Sequence, residues 1–533
     1  MLFQFENYRL DGGRRELRRD GQLVELEPKV FDLLAYVVAN RERVVSRDDL
    51  IAAVFTAWAK PEPEVSPGKN EKSRRNPDQS RKRRPSRAAN VTASNNRAAV
   101  AATDAPTKPN EDTVMTRSLT RRQMLNTAVA AGAAMALSPA RAAEPLRIGF
   151  GMSLTGPNAG AGKMFLVGRE IWREEVNGKG GLLGRPVEFV YYDDQSNPSA
   201  VPPIYSKLID VDKVDFVVSP FATTQIAPAM PVIMQKKMTF MALFGTGVND
   251  TFRYDRYFQI LPNGPDGIRS FSLGFFETAL TMEPKPRTVA LIGEDTEFGQ
   301  NVLSGARLNA EKLGFKIVYD RTFPATTADH TPIVRGVQAT DPDVVFVASY
   351  ATGSVGMVRV VRELRYNPRL FGGAMVGLQF TPIKAQLGPL LNGIVVNENY
   401  VPEPTMRFPG IDDVLTRYQE RAKTAGTDPL GFWSPFAYAE MQILGQAVTA
   451  VGSTDQGKLA DYLHATRFST VIGEVKFGPL GEWEKSRILY IQYQNIKGND
   501  PNQFRQAGKA VILSPPEFKS GELIYPFAKA HGS

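Results

Sequence analysis

The 533-residue chain contains no cysteine, which excludes disulfides, thiolate metal sites and cysteine nucleophiles. Histidine is nearly as scarce: His330, His464 and His531 are the full set, and none stands at metal-ligand or catalytic-triad spacing. A Gly-x-Ser-x-Gly nucleophile turn and a phosphate-binding loop are both missing. The acid pairs Asp193-Asp194 and Asp412-Asp413 read as loop and helix-start residues. Together these absences speak against an enzyme and leave no residue set for a metal or cofactor. What is present suffices for a large folded protein. Hydrophobic residues make up 42% and aromatics 10%, and at about 100–200 residues per domain the length implies more than one.

The formal charge of +8 and pI of about 9.3 would point to a polyanionic partner if spread over the chain. They are not spread. Between Lys69 and Arg97 there are ten lysines and arginines against two acids, a surplus of eight that equals the charge of the whole chain. The remainder is electrically balanced, so basicity says nothing about its ligand.

Four regions follow one another. In 1–59, Phe3, Phe5 and Tyr8 alternate as in a strand. A hairpin is predicted over 14–18 and 23–26, turning at Asp20-Gly21. Pro28 suits a helix start, Phe31, Leu34, Ala35 and Val38 repeat at helical spacing, and Ser46 caps a second helix. The runs Tyr8–Asp11, Arg15–Gly21, Val24–Leu34 and Val44–Leu50 resemble the winged-helix effector domain of OmpR/PhoB-type response regulators. The resemblance stops after Trp58, where Lys60-Pro61-Glu62-Pro63-Glu64 replaces the family's recognition helix, so sequence-specific DNA binding is not expected. Residues 60–114, rich in Pro, Ser, Asn, Arg, Lys and Ala, read as a disordered basic linker.

Residues 115–143 have the layout of an export signal. Thr120-Arg121-Arg122-Gln123-Met124-Leu125 resembles a twin-arginine motif, and the apolar run from Thr127 to Leu137 is shorter than the roughly 20 residues of a membrane span. Ala140-Arg141-Ala142 then fits an Ala-x-Ala cleavage site, placing the mature protein in the periplasm. Such a signal works near a chain start. The expectation is therefore a natural beginning at Met115, with 1–114 added by a mis-assigned start or a gene fusion.

From Leu146 onward strands and helices alternate. Strands are predicted at 146–150, 187–192, 215–218, 239–243 and 257–261, and again at 288–292, 316–321, 344–348, 370–375 and 394–397. Helices are predicted at 163–177, 198–211 and 299–313, with Phe165, Val167, Ile171 and Trp172 facing inward on the first. Strands separated by helices imply parallel sheets. Two sets in tandem imply two doubly wound α/β lobes joined by a hinge.

Residues 145–533 resemble the branched-chain amino acid (Leu/Ile/Val) family of periplasmic binding proteins. The motifs that carry this are Ile148–Gly156, Gly178–Val187 leading to Tyr191–Asp194, Gly293–Gly299 and Asp341–Phe346. The resemblance implies the type I periplasmic-binding fold and the substrate-binding role of an ABC importer: a monomer that carries an amino acid, amide or aromatic or other organic acid to a membrane permease. It also implies ligand-binding residues. In the first lobe they are Ser153, Thr155, Phe221, Thr223, Thr224, Gly245 and Thr246; in the second, Phe298, Tyr350 and Met375. The family's amino-acid binders pair the ligand's ammonium with an acid after the fourth strand of the second lobe. Gly372–Gly377 has none, so either Glu294, Asp295 or Glu398 substitutes or the ligand carries no ammonium. The alternative is a one-component transcriptional regulator, in which the winged-helix-like head would respond to ligand bound by the lobes.

Overall fold

The computed structural model describes residues 2–5, 8–11, 16–24 and 144–531, which belong to two units, Met1–Thr116 and Arg117–Ser533. In the first unit β1 (Leu2–Phe5), β2 (Tyr8–Asp11), β3 (Glu16–Arg19) and β4 (Gln22–Val24) pair in sequence order as an antiparallel meander. Leu10 and Leu17 face each other across β2 and β3 and are buried. The predicted turn forms: Asp20 and Gly21 have φ of 48° and 82°, and two successive positive values match the twist of a tight hairpin. The helices expected after Pro28 and Ser46, the linker and the export signal lie outside the described residues.

The second unit begins with β5 (Leu146–Met152), α1 (Ala159–Gly178), β6 (Val187–Asp193), α2 (Val201–Asp210), β7 (Phe216–Val218), α3 (Thr223–Gln235), β8 (Phe240–Ala242), α4 (Val248–Phe252) and β9 (Tyr257–Gln259). Its sheet runs β6-β5-β7-β8-β9, all parallel. The central strands are apolar throughout because helices cover both faces. Phe165, Ile171 and Trp172 of α1 are buried as predicted, while Val167 is half-buried.

The chain then enters a second lobe: α5 (Gly267–Ala279), β10 (Thr288–Glu294), α6 (Glu297–Lys312), β11 (Lys316–Phe323), α7 (Thr331–Gln338), β12 (Val344–Ser349), α8 (Ala351–Glu363), β13 (Leu370–Met375), α9 (Thr381–Leu387) and β14 (Val395–Glu398). It returns to the first lobe for α10 (Ile411–Ala425) and α11 (Ser434–Val451), which pack on α1, and for α12 (Gln456–Ala465) and the hairpin β15 (Arg467–Thr470) and β16 (Gly473–Lys476). Finally β17 (Leu489–Tyr493) and β18 (Ala510–Ser514) extend the second sheet, whose order is β11-β10-β12-β13-β14-β17-β18 with the last two strands antiparallel.

Three chain segments therefore connect the lobes: 260–266, 399–410 and 477–488. The first and third are stitched together. Gln259 N–H donates to Gly481 O at 2.7 Å and Arg487 N–H to Pro262 O at 2.7 Å. Only glycine fits at 481, where φ is +73° and a Cβ would lie 1.7 Å from Tyr257 O. Among the described residues no helix is long and apolar enough to cross a membrane.

The first lobe hides an ion pair. Arg169 on α1 and Glu440 on α11 are both fully buried, with Arg169 Nη2 2.7 Å and Nε 2.9 Å from Glu440 Oε2. Arg169 Nη2 also donates to Ser219 O at 2.8 Å, and its guanidinium lies 4.5 Å from the Phe150 ring centre. The helices come close enough for this because of Gly168, where a Cβ would be 2.5 Å from Ser434 O. Burial pushes the Glu440 carboxyl up to about 7 against the pull of Arg169. A carboxyl raised above its unfolded value of about 4.5 contributes stability that is intact below that value and is lost as pH climbs through about 7. The second unit is therefore expected to melt at a higher temperature at pH 5 than at pH 7.5. The Arg169→Met/Glu440→Leu variant should lose that part of the slope. Calorimetric melts of both proteins across this range provide the check.

Candidate functional site

In open parallel sheets ligands sit beyond the carboxyl ends of the strands, where the strand order reverses. Both sheets here have the order 2-1-3-4-5 in their parallel part, and their carboxyl ends meet at a crevice between the lobes. The empty space there is about 310 Å³ with the open solvent at its mouth included. The first lobe lines it with Phe221, Ala222, Thr223, Phe244 and Thr246, and Trp433 joins from the segment before α11. Leu261 comes from the first connecting segment and Asn399 from the second.

Helix α3 opens at this wall. Its first N–H groups have no partner within the helix, and its dipole favours an anion there. Ala222, just before it, holds φ +78° and ψ 148°, a conformation almost confined to glycine. Such strain in a crevice wall is characteristic of a built site. Thr223 Oγ accepts from Thr246 N–H at 2.9 Å, locking the two loops of the first lobe together.

The second lobe contributes Phe271, Phe298, Tyr350, Val376 and Asn397. The Phe298 ring lies 5.0 Å from that of Tyr350 and 5.6 Å, edge-on, from that of Phe271. Hydrogen bonds close the lobes on each other: Thr224 Oγ with the Tyr350 hydroxyl at 3.1 Å, Asn301 Nδ2 to Thr246 O at 2.9 Å, Trp433 Nε1 to Glu398 Oε1, Thr381 N–H to Asp428 Oδ2 at 2.6 Å and Arg505 Nη1 to Gln419 Oε1 at 2.6 Å. Burial raises the Tyr350 phenol well above its usual value, so it stays neutral. Two further spaces also border Tyr350.

Asp428 lines the first of these adjoining spaces and Glu294 the second. The Glu294 carboxylate accepts Tyr350 N–H at 3.0 Å and the Gly353 N–H, capping α8 from below, and burial raises it above the usual carboxylate range. Glu398, pushed up to about 7 by burial, is held by Trp433 Nε1 and by Asn399 N–H at 3.0 Å, with Lys384 nearby. Among the described residues no carboxylate lines the 310 Å³ crevice.

Six expected residues come together here: Phe221, Thr223, Thr246, Phe298 and Tyr350 on the wall, with Thr224 bonded to Tyr350. Four are placed elsewhere. Ser153 donates to Asp194 Oδ1 and Thr155 to Asp193 Oδ2, each at 2.6 Å, so both clamp the β5 loop to the end of β6. Gly245 has its N–H and C=O held by the Gln259 amide. Met375 is still within β13 and its neighbour Val376 reaches the wall, a shift of one residue that exchanges sides. Sequence reasoning missed Phe244, Leu261, Phe271, Asn397, Asn399 and Trp433. The one available signal was that Asn397 and Asn399 end a parallel strand.

Two parallel α/β lobes with three connections, shut over a small aromatic-walled crevice, define a solute-binding protein of the two-lobe type. The sequence profile of the periplasmic binding proteins matches residues 145–483, and the chain belongs to that family, with its type I fold. An amino acid binding protein of Pseudomonas aeruginosa is 25% identical over 398 residues, covering 74% of this chain and all of that one. Two solved structures share the fold. One is a branched-chain amino acid transporter substrate-binding protein of Streptococcus pneumoniae in complex with isoleucine, with TM-score 0.58 and 19% identity over 70% of this chain and all of that one. The other is an ABC-transporter solute-binding protein of R. palustris in complex with 4-hydroxybenzoate, with TM-score 0.59 and 18% identity over 72% and 98%. The regulator alternative finds no support in these matches.

Proposed function

We propose that the chain is the substrate-binding component of an ABC importer, exported by the signal at 115–143 with cleavage near Ala142, and that its solute is a small organic carboxylate without an ammonium group, an aromatic acid above all. It performs no catalysis. The observation that carries the ligand class is the wall of the inner crevice: aromatic rings, one helix N-terminus and no carboxylate among its described residues, Asp428 and Glu294 lining only the adjoining spaces. An amino acid's ammonium would be buried there without a counter-charge, which is costly. A carboxylate at the start of α3 would meet backbone N–H groups and the Thr223 and Thr246 side chains. The aromatic walls would then cover an apolar body, and the closed lobes would dock on the permease. The solute bound by the R. palustris neighbour fits this chemistry, that of the S. pneumoniae neighbour less well.

A thermal-shift screen over benzoates, aliphatic acids, amides and amino acids tests this, because a ligand that binds only the folded state raises its melting temperature. Benzoates should raise it most. A shift with leucine or isoleucine and none with any ammonium-free acid would reject the ligand class. Thr223→Ala combined with Thr246→Ala should weaken binding of the best acid by about 2–4 kcal/mol by calorimetry, the worth of two hydrogen bonds to a charged group.

A further inference from the structure

Two amides on the second-lobe side of the crevice are left over by the fold. Asn397 and Asn399 are buried, at 0% and 1% exposure, and both line the wall. Among the described residues Asn397 Nδ2 has no hydrogen-bond partner, and neither do Asn399 Nδ2 and Oδ1. They stand two apart where β14 runs out into the connecting segment, so they project to the same side. Glu398 between them is spent on Trp433 and the Asn399 N–H. Buried polar groups are almost always paired, and unpaired ones are a cost the fold keeps for a reason. Here two donors and an acceptor belong to side chains that line a solute crevice.

We infer that Asn397 and Asn399 read a neutral donor–acceptor group on the solute, a hydroxyl in the first place, at the end facing the second lobe. A hydroxyl donates once and accepts twice. It can give its hydrogen to Asn399 Oδ1 and take N–H bonds from the two Nδ2 atoms. A second carboxylate would set its oxygens against Asn399 Oδ1, and a methyl would leave all three atoms unpaired. The inference rests on the reading of the crevice as a carboxylate site and narrows it to hydroxylated acids. It assigns specificity to residues at the end of β14, one strand beyond the Gly372–Gly377 stretch.

Calorimetry on the full chain with matched pairs tests it: benzoate against 3- and 4-hydroxybenzoate, and benzamide against 4-hydroxybenzamide. One hydroxylated benzoate should bind about 10- to 100-fold more tightly than benzoate, the scale on which a buried polar pair discriminates against an analogue that leaves it unpaired. In Asn399→Ala and Asn399→Leu that advantage should shrink to less than threefold. The ligand-free Asn399→Leu protein should melt no lower than the parent, because it loses an unpaired buried amide. Equal affinity within every pair overturns the inference, and so does a hydroxyl advantage that survives both variants. Binding of the benzamide pair alone, with the hydroxyl preferred, rejects the carboxylate reading and supports the amide pair. Binding of none of the five compounds overturns both.

Discussion

At pH 8, where Glu440 is ionised, Glu440→Ala is expected to destabilise the second unit by about 3–5 kcal/mol, although Glu440 touches neither the crevice nor the solvent. The reason lies in what remains. Arg169 keeps its charge and is fully buried, and among the described residues its only other hydrogen-bond partner is the Ser219 carbonyl at 2.8 Å, with the Phe150 ring beside it. A guanidinium cannot shed its proton to escape, as a buried lysine does. The penalty for a lone buried charge then falls on the folded state. Arg169→Met/Glu440→Leu should recover most of the loss, because a well-packed apolar pair avoids the desolvation of both ions. Urea or thermal unfolding of the three proteins measures this. A single variant as stable as the parent would mean that water reaches the pair. The site would feel the change as well. Ser219 ends the strand segment that leads to Ala222 and Thr223, and its own hydroxyl accepts from Leu243 N–H at 2.7 Å in the neighbouring loop. The ion pair thus stands directly behind both first-lobe loops of the crevice.

The alternation of strands and helices was legible because buried parallel strands are apolar from end to end: every expected strand of the second unit forms, within about two residues at each end. What local patterns could not show is where the chain goes after β14. Helices α10 and α11 look like any amphipathic or apolar helix, and nothing in their periodicity says that they leave the second lobe to pack on α1. That return path brings Trp433 to the crevice, so its absence from the expected site has a topological cause. The errors within the expected site are of a different kind. Ser153 and Thr155 carry the right chemistry at the right loop, but Asp194 and Asp193 compete for their hydroxyls at 2.6 Å. Met375 and Val376 differ only in strand parity. By contrast Thr223, Thr246 and Tyr350 were named from the resemblance to the binding-protein family, and all three line the crevice beyond the carboxyl ends of buried strands, where a parallel sheet exposes side chains to a ligand.

Trp433 is where these paths meet, and replacing it should have the largest effect on the site. Its ring packs edge-on against Phe244 of the first lobe at 4.9 Å and against Phe380 of the second at 5.4 Å, and its indole N–H donates to Glu398 of β14. It is 3% exposed. One side chain is therefore a wall of the crevice, a contact between lobes and a partner for a buried acid. Trp433→Ala is expected to cost about 3–5 kcal/mol of stability, as large aromatic truncations in a core do. It should also weaken solute binding by more than tenfold, because the closed state loses both its contact and its hydrogen bond. Trp433→Phe separates the two contributions. It keeps a ring between Phe244 and Phe380 but leaves Glu398 with one donor fewer beside Lys384. Its stability should fall less than that of the alanine variant, while closure still suffers. Small-angle scattering with saturating solute reads closure directly: the parent should contract on binding and Trp433→Ala should contract less. If Trp433→Ala binds and contracts like the parent, the remaining contacts between the lobes, Thr224–Tyr350, Asn301–Thr246 and Thr381–Asp428 among them, suffice for closure, and the tryptophan is only a wall.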